Sequence, residues 1–445
     1  MTITSDPTHP MYLDQADVRT ELSRVFDICH GCQRCVDLCA SFPTLFEFVG
    51  RHADHDAGRM TPFEQDQVVD RCYQCTLCSL DCPYLAEPDD SSVDFPRLML
   101  RAKAMQHAEG IASTHGSATA RMLNHTDRLG KLATSTTPII GPIIGSSTNR
   151  VVNRIARSPS GSSLRRLTAR ATGVSAVRLL PPYARQRFST WFARRPPTTS
   201  GAPRSRARVT VYPTCVVEYQ EPDIGKDLVR VYEHNDIECT VSAAGCCGAP
   251  WLHAGDVDQF TKVAEQNIRL LAAEVRAGAD IVVPQPTCSA VVKHDYPVYV
   301  AGPDAELVAS NTYDACEYLM RMHADEPLDV EFPGECFASV TYHAPCHLRA
   351  QRIGSASGDL LALTGADVTV VEQCSGTDGM WGLRAGNEDI SIPIARRLGD
   401  RIDEAGGTVV AGDCHLANTA IVEQTGRTAR HPLQILARAY GLADD

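Results

Sequence analysis

The sequence runs to 445 residues, 43% of them apolar, with 42 basic and 54 acidic side chains and a formal net charge of −12. This length exceeds one ordinary domain and points to about two or three, with enough apolar residues for real cores. The 18 cysteines, grouped within so long a chain, argue against the disulfide scaffold of a short secreted domain and for metal ligands.

Residues 1–20 read as a polar tail and lack the basic and apolar regions of a secretory signal. No apolar run approaches the ~20 residues that span a bilayer. The longest, Pro138 to Gly145, is short and broken by glycine and proline. A cytoplasmic location is therefore expected, with any membrane contact made peripherally from the inner face.

Residues 21–110 carry two cysteine runs. Cys29, Cys32, Cys35 and Cys39 are spaced C-x2-C-x2-C-x3-C, and Cys72, Cys75, Cys78 and Cys82 repeat that spacing, followed by Pro83. A cubane needs four thiolates around a compact body, and two-residue gaps let one loop wrap three of them about one face. In two-cluster ferredoxins the fourth cysteine of each run serves the other cluster. The expected sets are Cys29, Cys32, Cys35 and Cys82 for one [4Fe–4S] cluster and Cys39, Cys72, Cys75 and Cys78 for a second. Zinc also binds C-x2-C pairs, but it needs two pairs per site and no evenly spaced third cysteine. Cys39 is followed by Ala40 rather than proline, a departure that touches loop geometry rather than ligation. His30 lies inside a ligand loop, as a plain loop residue or as a group that tunes potential from behind the ligands.

Residues 111–208 form a basic linker. They hold 17 Lys and Arg against one acid, Asp127, for a local charge of +16 that leaves −28 on the rest of the chain. Loop-like pieces, 158–163 and 196–203, separate apolar residues at helical spacing: Val151, Val152 and Ile155; Val174, Val177 and Leu180; Phe188, Trp191 and Phe192. Basic amphipathic helices bind membrane surfaces; the competing reading is a solvated linker whose helices pack on the protein. No recognised nucleic-acid module accompanies the charge, so nucleic acid is not an expected partner.

Residues 209–445 alternate short β-branched runs with helical patterns, which favours a mostly parallel sheet. The strands expected are 209–212, 281–283, 340–342, 368–371 and 408–410, and the clearest helices are 256–277 and 387–404. An internal repeat runs through this part. Pro213-Thr214-Cys215 resembles Ala344-Pro345-Cys346, Cys246-Cys247-Gly248 resembles Cys374-Ser375-Gly376, and Thr287-Cys288 resembles Asp413-Cys414, at offsets of 131, 128 and 126 residues. The expectation is a duplicated α/β domain, 209–330 and then a degenerate 331–445, with the cysteines at the carboxyl ends of parallel strands, where such folds build their sites.

Cys215, Cys246, Cys247 and Cys288 are expected to converge on a third cluster, with Gly248 allowing close backbone approach. Buried small hydrophobes are the plainer alternative. The second half keeps Cys346, Cys374 and Cys414, but Ser375 stands where the pair's second cysteine would be. A fourth cluster there would need another ligand, from His343, His347, Asp413 or His415; an empty site is the alternative. Cys239, Cys316 and Cys336 fit neither pattern and are expected to be packing residues.

These motifs, together with Tyr342-His343-Ala344-Pro345-Cys346-His347-Leu348-Arg349, resemble the iron–sulfur C subunit of anaerobic glycerol-3-phosphate dehydrogenase. The iron–sulfur subunit of glycolate oxidase and the cysteine-rich subunits of heterodisulfide reductase share the layout. Residues 41–46, residues 94–101 and the Cys374-Ser375-Gly376 variant resemble a subgroup associated with rubrerythrin. The resemblance implies electron transfer between a flavoprotein dehydrogenase, or a rubrerythrin-type redox partner, and a quinone or other acceptor. It also raises an alternative, a thiol–disulfide or peroxide-linked reductase with the Cys-Cys-Gly site as reaction centre. Full cysteine-rich repeats often end in C-x2-C, but Val291 and Ala417 occupy those positions here, which weakens the alternative. No G-x-G-x-x-G follows a strand, so neither FAD nor NAD is expected in this chain.

Overall fold

The computed structural model describes residues 6–85, 91–111, 124–135, 147–196, 206–377, 379 and 381–443. The run Pro138 to Gly145 and most of the loop 196–203 lie outside the described residues.

The N-terminal part is helical. Helix α1 (Gln15–Cys32) starts where the Asp14 carboxylate accepts the Asp17 N–H, and it buries Val18, Leu22, Val25 and Phe26 along one stripe. Helices α2 (Ser41–Arg51), α3 (Pro62–Asp70) and α4 (Phe95–Ala108) complete the layer. A reciprocal Thr61–Glu64 capping box fixes the start of α3. The expected polar tail is in part structure. Tyr12 is buried, its hydroxyl lies 3.2 Å from that of Tyr299, and the fully buried Arg101 donates to the carbonyls of Met11 and Tyr12.

Two four-stranded parallel sheets follow. Strands β1 (Ala207–Val211), β2 (Ile237–Val241), β3 (Asp280–Val283) and β4 (Thr312–Asp314) lie in the order β2-β1-β3-β4. Strands β5 (Ser339–His343), β6 (Asp367–Val371), β7 (Val409–Gly412) and β8 (Ala429–Arg430) lie in the order β6-β5-β7-β8. Identical order and direction in two halves is the structural form of the sequence repeat. β2, β4 and β8 are not among the expected strands. β2 carries an exposed Glu238 within Ile-Glu-Cys-Thr-Val, and the other two are three and two residues long. The halves share a core: Leu433, Leu436 and Tyr440 of the second pack with Val209, Leu228 and Tyr232 of the first.

The basic segment is bound to this body rather than free. Helices α5 (Thr126–Ala133), α6 (Thr148–Ala156), α7 (Ser163–Thr172) and α8 (Phe188–Arg194) occupy it. Phe188 is wholly buried in the first core with Trp191 and Phe192 against it. Arg178 is buried and paired with Glu423 at 2.8 Å, and Arg165 donates to the carbonyls of Ala156, Ser175 and Arg178. Val174, Val177 and Leu180 form no helix; Val174 makes an isolated bridge to Arg384, and Val177 is exposed.

Candidate iron–sulfur sites

Helix α1 carries Cys29 and Cys32 in its final turn, and Gln33 at φ 57° reverses the chain toward Cys35. Cys82 arrives from the second run. Burial first, then the proximity of Cys35, Cys82 and Cys32, pushes the Cys29 thiol up. The same causes push Cys35 up to about 11. Such thiols resist ionising alone and are ionised by a bound cation.

The second nest forms between α2 and the 72–82 loop. Cys39 interacts electrostatically with Cys72, Cys75 and Cys78, and Cys78 also with Cys35 and Cys29 of the first nest. The backbone N–H groups of Ser41 and Phe42, at the start of α2, point at the Cys39 sulfur. Gln74 Nε2 donates toward Cys72 Sγ at 3.5 Å, and Lys103 Nζ donates to the Cys72 carbonyl at 2.6 Å. Trp381 roofs this nest. Its ring centre is 4.8 Å from that of Tyr73, and its indole N–H donates to the Asp70 carbonyl at 2.9 Å.

In the first cysteine-rich half, β1, β2 and β3 deliver Cys215, the Cys246–Cys247 pair and Cys288 from their carboxyl ends, around a 170 Å³ cavity. Gly248 takes φ 91°, turning its N–H onto Cys246 Sγ at 3.5 Å. A Cβ there would lie 2.8 Å from the Phe260 ring. The Cys215 and Cys247 thiols and the Gly248 N–H hold Cys246 well below the usual thiol value, while the contact with Cys246 and burial push Cys215 up. The cap is α5. Asp127 Oδ2 accepts the Cys246 N–H at 2.8 Å, Thr126 lines the cavity, and His125 stands edge-on to Trp251.

The second half repeats the loop geometry with a smaller chamber. Gly376, at φ 65°, donates to Cys374 Sγ at 3.4 Å. Cys346, Cys374 and Cys414 line a cavity of 30 Å³ with Ser375, His343 and His347. Ser375 Oγ sits 2.8 Å from Thr377 Oγ1. Of the four auxiliary ligands expected, His343 and His347 face this cavity and two do not. Asp413 turns away, accepting from Tyr342 at 2.7 Å and Ser357 at 2.6 Å beside Asp314 and Cys316. His415 is half-buried and outside the cavity lining, and desolvation of its ring pulls it down to about 4. Cys239 and Cys316 are buried as expected; Cys336 is exposed, so packing is not its role.

The four cysteine sets are linked by packing and by close polar contacts among the residues around them. Cys75 neighbours Cys346 and Cys374. His347 Nε2 lies 2.9 Å from the Gln74 carbonyl, and its Nδ1 lies 3.1 Å from Thr287 Oγ1, one residue before Cys288. Gln285 Nε2 donates to Cys414 Sγ at 3.3 Å. Trp381 lines the first half's cavity from the far side of its contact with Tyr73.

Sequence reasoning did not find Asp127, Lys103 or Trp381 as parts of these sites. Asp127 carried one usable signal, as the sole acid in a strongly basic run. Trp381 and Lys103 carried none, because their partners lie far away in sequence.

Comparison with known proteins agrees with this arrangement. A 4Fe-4S dicluster domain matches residues 28–87, and a cysteine-rich domain matches twice, at 209–293 and 340–418. The C subunit of the anaerobic glycerol-3-phosphate dehydrogenase of Escherichia coli is 25% identical over 419 residues, covering 84% of this chain and 99% of its own length. The chain is an iron–sulfur protein homologous to that C subunit. The B subunit of the fumarate reductase (CoM/CoB) of Methanothermobacter marburgensis is 29% identical over 247 residues, 53% of this chain and 47% of the relative. Lactate utilization protein A of Shouchella clausii is 28% identical over 247 residues, 51% of this chain and 98% of the relative. No described helix is long and apolar enough to cross a membrane.

Proposed function

We propose that this chain is the electron-transfer subunit of an oxidoreductase complex, passing single electrons between a flavoprotein dehydrogenase and a separate acceptor. The observation that carries the reading is a continuous run of packing: the cysteines of the Cys29 and Cys39 nests share one hydrophobic cluster, Cys75 shares another with Cys346 and Cys374, and His347 bridges the Gln74 carbonyl and Thr287 beside Cys288. Iron–sulfur clusters, when bound, supply one-electron exchange at potentials that depend on their surroundings.

The ligand sets we assign are Cys29, Cys32, Cys35 and Cys82; Cys39, Cys72, Cys75 and Cys78; and Cys215, Cys246, Cys247 and Cys288. These side chains hold the clusters, and the packed aromatic and α5 walls keep water away. A fourth set in the second half would use Cys346, Cys374 and Cys414, with His343 or His347 as the remaining donor; the 30 Å³ chamber favours a site without a cubane. The disulfide-reductase alternative is not favoured, since Val291 and Ala417 replace the closing cysteines. A rubrerythrin-type partner and a quinone acceptor are finer readings that rest on the motif resemblance. A membrane contact would use α7, where Leu164 and Leu167 are exposed beside Arg166 and Arg170, a face suited to anionic lipid.

The test is iron and sulfide content with low-temperature electron paramagnetic resonance on protein purified without oxygen. About twelve irons per chain and three distinct signals are expected. Zinc in place of iron would overturn the reading.

A further inference from the structure

Lys103 is a buried side chain that makes no ion pair among the described residues. It is 4% exposed, and its ammonium donates to the Cys72 carbonyl at 2.6 Å. Among the described residues no carboxylate lies within the 4.0 Å of an ion pair with it. Asp70 interacts with it electrostatically from beyond that distance. On its other side Lys103 lines the cavity that holds Cys215, Cys246, Cys247 and Cys288. His253, on the same wall, is held neutral by burial and by Lys103 itself, so it adds no second positive charge.

An isolated charge away from water is expensive and persists only against a counter-charge. The backbone makes this placement hard to avoid. Gly255, at φ 79°, lets α4 lie flush on the first cysteine-rich half; a Cβ there would fall 2.1 Å from the Lys103 carbonyl oxygen. Helix α4 cannot slide to release the side chain toward solvent without breaking that contact.

We infer that Lys103 is the shared counter-charge of two redox sites, placed between the Cys39–Cys72–Cys75–Cys78 nest and the first Cys-Cys-Gly site to raise the reduction potential of the former. The inference rests on the cluster-carrying reading above. A cluster held by four thiolates gains a negative charge on reduction, and a fixed cation at its ligand loop favours that form. Cluster potentials respond to net charge and hydrogen bonding in this way. Lys103 therefore acts through the ligand loop, as a positioning residue, and touches no substrate.

The experiment is a redox titration of the full-length protein followed by electron paramagnetic resonance, comparing wild type, Lys103→Gln and Lys103→Arg, with iron content measured on each. Lys103→Gln should keep its iron and weaken the reduction equilibrium of one ferredoxin-module signal at least tenfold, which is ~59 mV for one electron. Lys103→Arg should stay within that margin of wild type. A fully loaded Lys103→Gln protein with unmoved midpoints would overturn the counter-charge role while leaving the electron-transfer reading intact. If Lys103→Gln fails to load, loaded Lys103→Arg with the wild-type midpoint supports the role, and failure of both variants would overturn it in favour of shape. Wild type without iron would overturn the function itself.

Discussion

The two cysteine-rich halves share strand order, direction and the glycine turn that aims an N–H at a sulfur, yet their chambers are unlike. The first encloses 170 Å³ behind four cysteines and the α5 cap. The second encloses 30 Å³ behind three cysteines, with Ser375 engaged by Thr377. The first half borrows its cap from the basic segment, through Asp127. The second instead meets the ferredoxin loop through His347 and the aromatic pair Tyr73–Trp381. A duplicated scaffold thus kept its frame while one copy kept a chamber and the other became a connector. The lesson is that equal topology does not imply an equal chamber, because the chamber depends on what is packed against it.

That contrast is breakable in order of effect. Cys247→Ala should remove ~4 of ~12 irons and one resonance signal, whereas Ser375→Ala should leave iron content unchanged; equal losses from the two would erase the distinction between the halves. Trp381→Ala removes a buried aromatic that serves as roof to the second nest and wall to the first chamber, and it should cost ~3–5 kcal/mol in denaturant unfolding. A loss below ~1 kcal/mol would mean that the connector is not under packing constraint. Gly248→Ala and Gly376→Ala each force a side chain into a left-handed backbone, with Cβ contacts of 2.8 Å to Phe260 and 2.6 Å to the Ser391 carbonyl oxygen. Each should lose ~1–3 kcal/mol, and wild-type midpoints for either would show that the loop relaxes.

The smallest effect is one of pH. Burial raises the Glu221 carboxyl, in the first half, from 4.5 to about 7. A raised acid binds more protons folded than unfolded, so stability falls as pH rises from about 4.5 to about 7 and the loss is complete above that. Glu221→Gln should flatten this dependence by on the order of 1 kcal/mol, read from urea midpoints at pH 5 and pH 8. Parallel curves for variant and wild type would remove Glu221 from the account.

Legibility in the sequence followed distance along the chain. The ferredoxin nests were readable because three of each four thiols sit within seven residues, and crossover of the fourth is a general rule of two-cluster folds. The duplication was readable from three landmarks and most strands carrying the sites from β-branched runs, but β2, which leads to the Cys246–Cys247 pair, was not, because Glu238 and Cys239 interrupt its pattern. The cap made by Thr126 and Asp127 was not legible within 111–208 because their partner, Cys246, is about 120 residues away, and no local pattern encodes a cap over a distant loop. The packing expectation failed at Cys336, since a lone cysteine carries no periodicity to place it inside or out. Asp413 was grouped with ligands by adjacency to Cys414, but successive residues leaving a strand point to opposite sides, and its carboxylate went to Tyr342 and Ser357.

Trp381 completes the second nest from 299 residues beyond Cys82. On a ribosome adding about 5–20 residues per second, that interval is roughly 15–60 s. For that time the nascent chain carries the Cys39 and Cys72 loops with their apolar flank open, so the N-terminal module cannot be sealed as it is made. Its thiols are exposed to oxidants until the far end of the same polypeptide arrives.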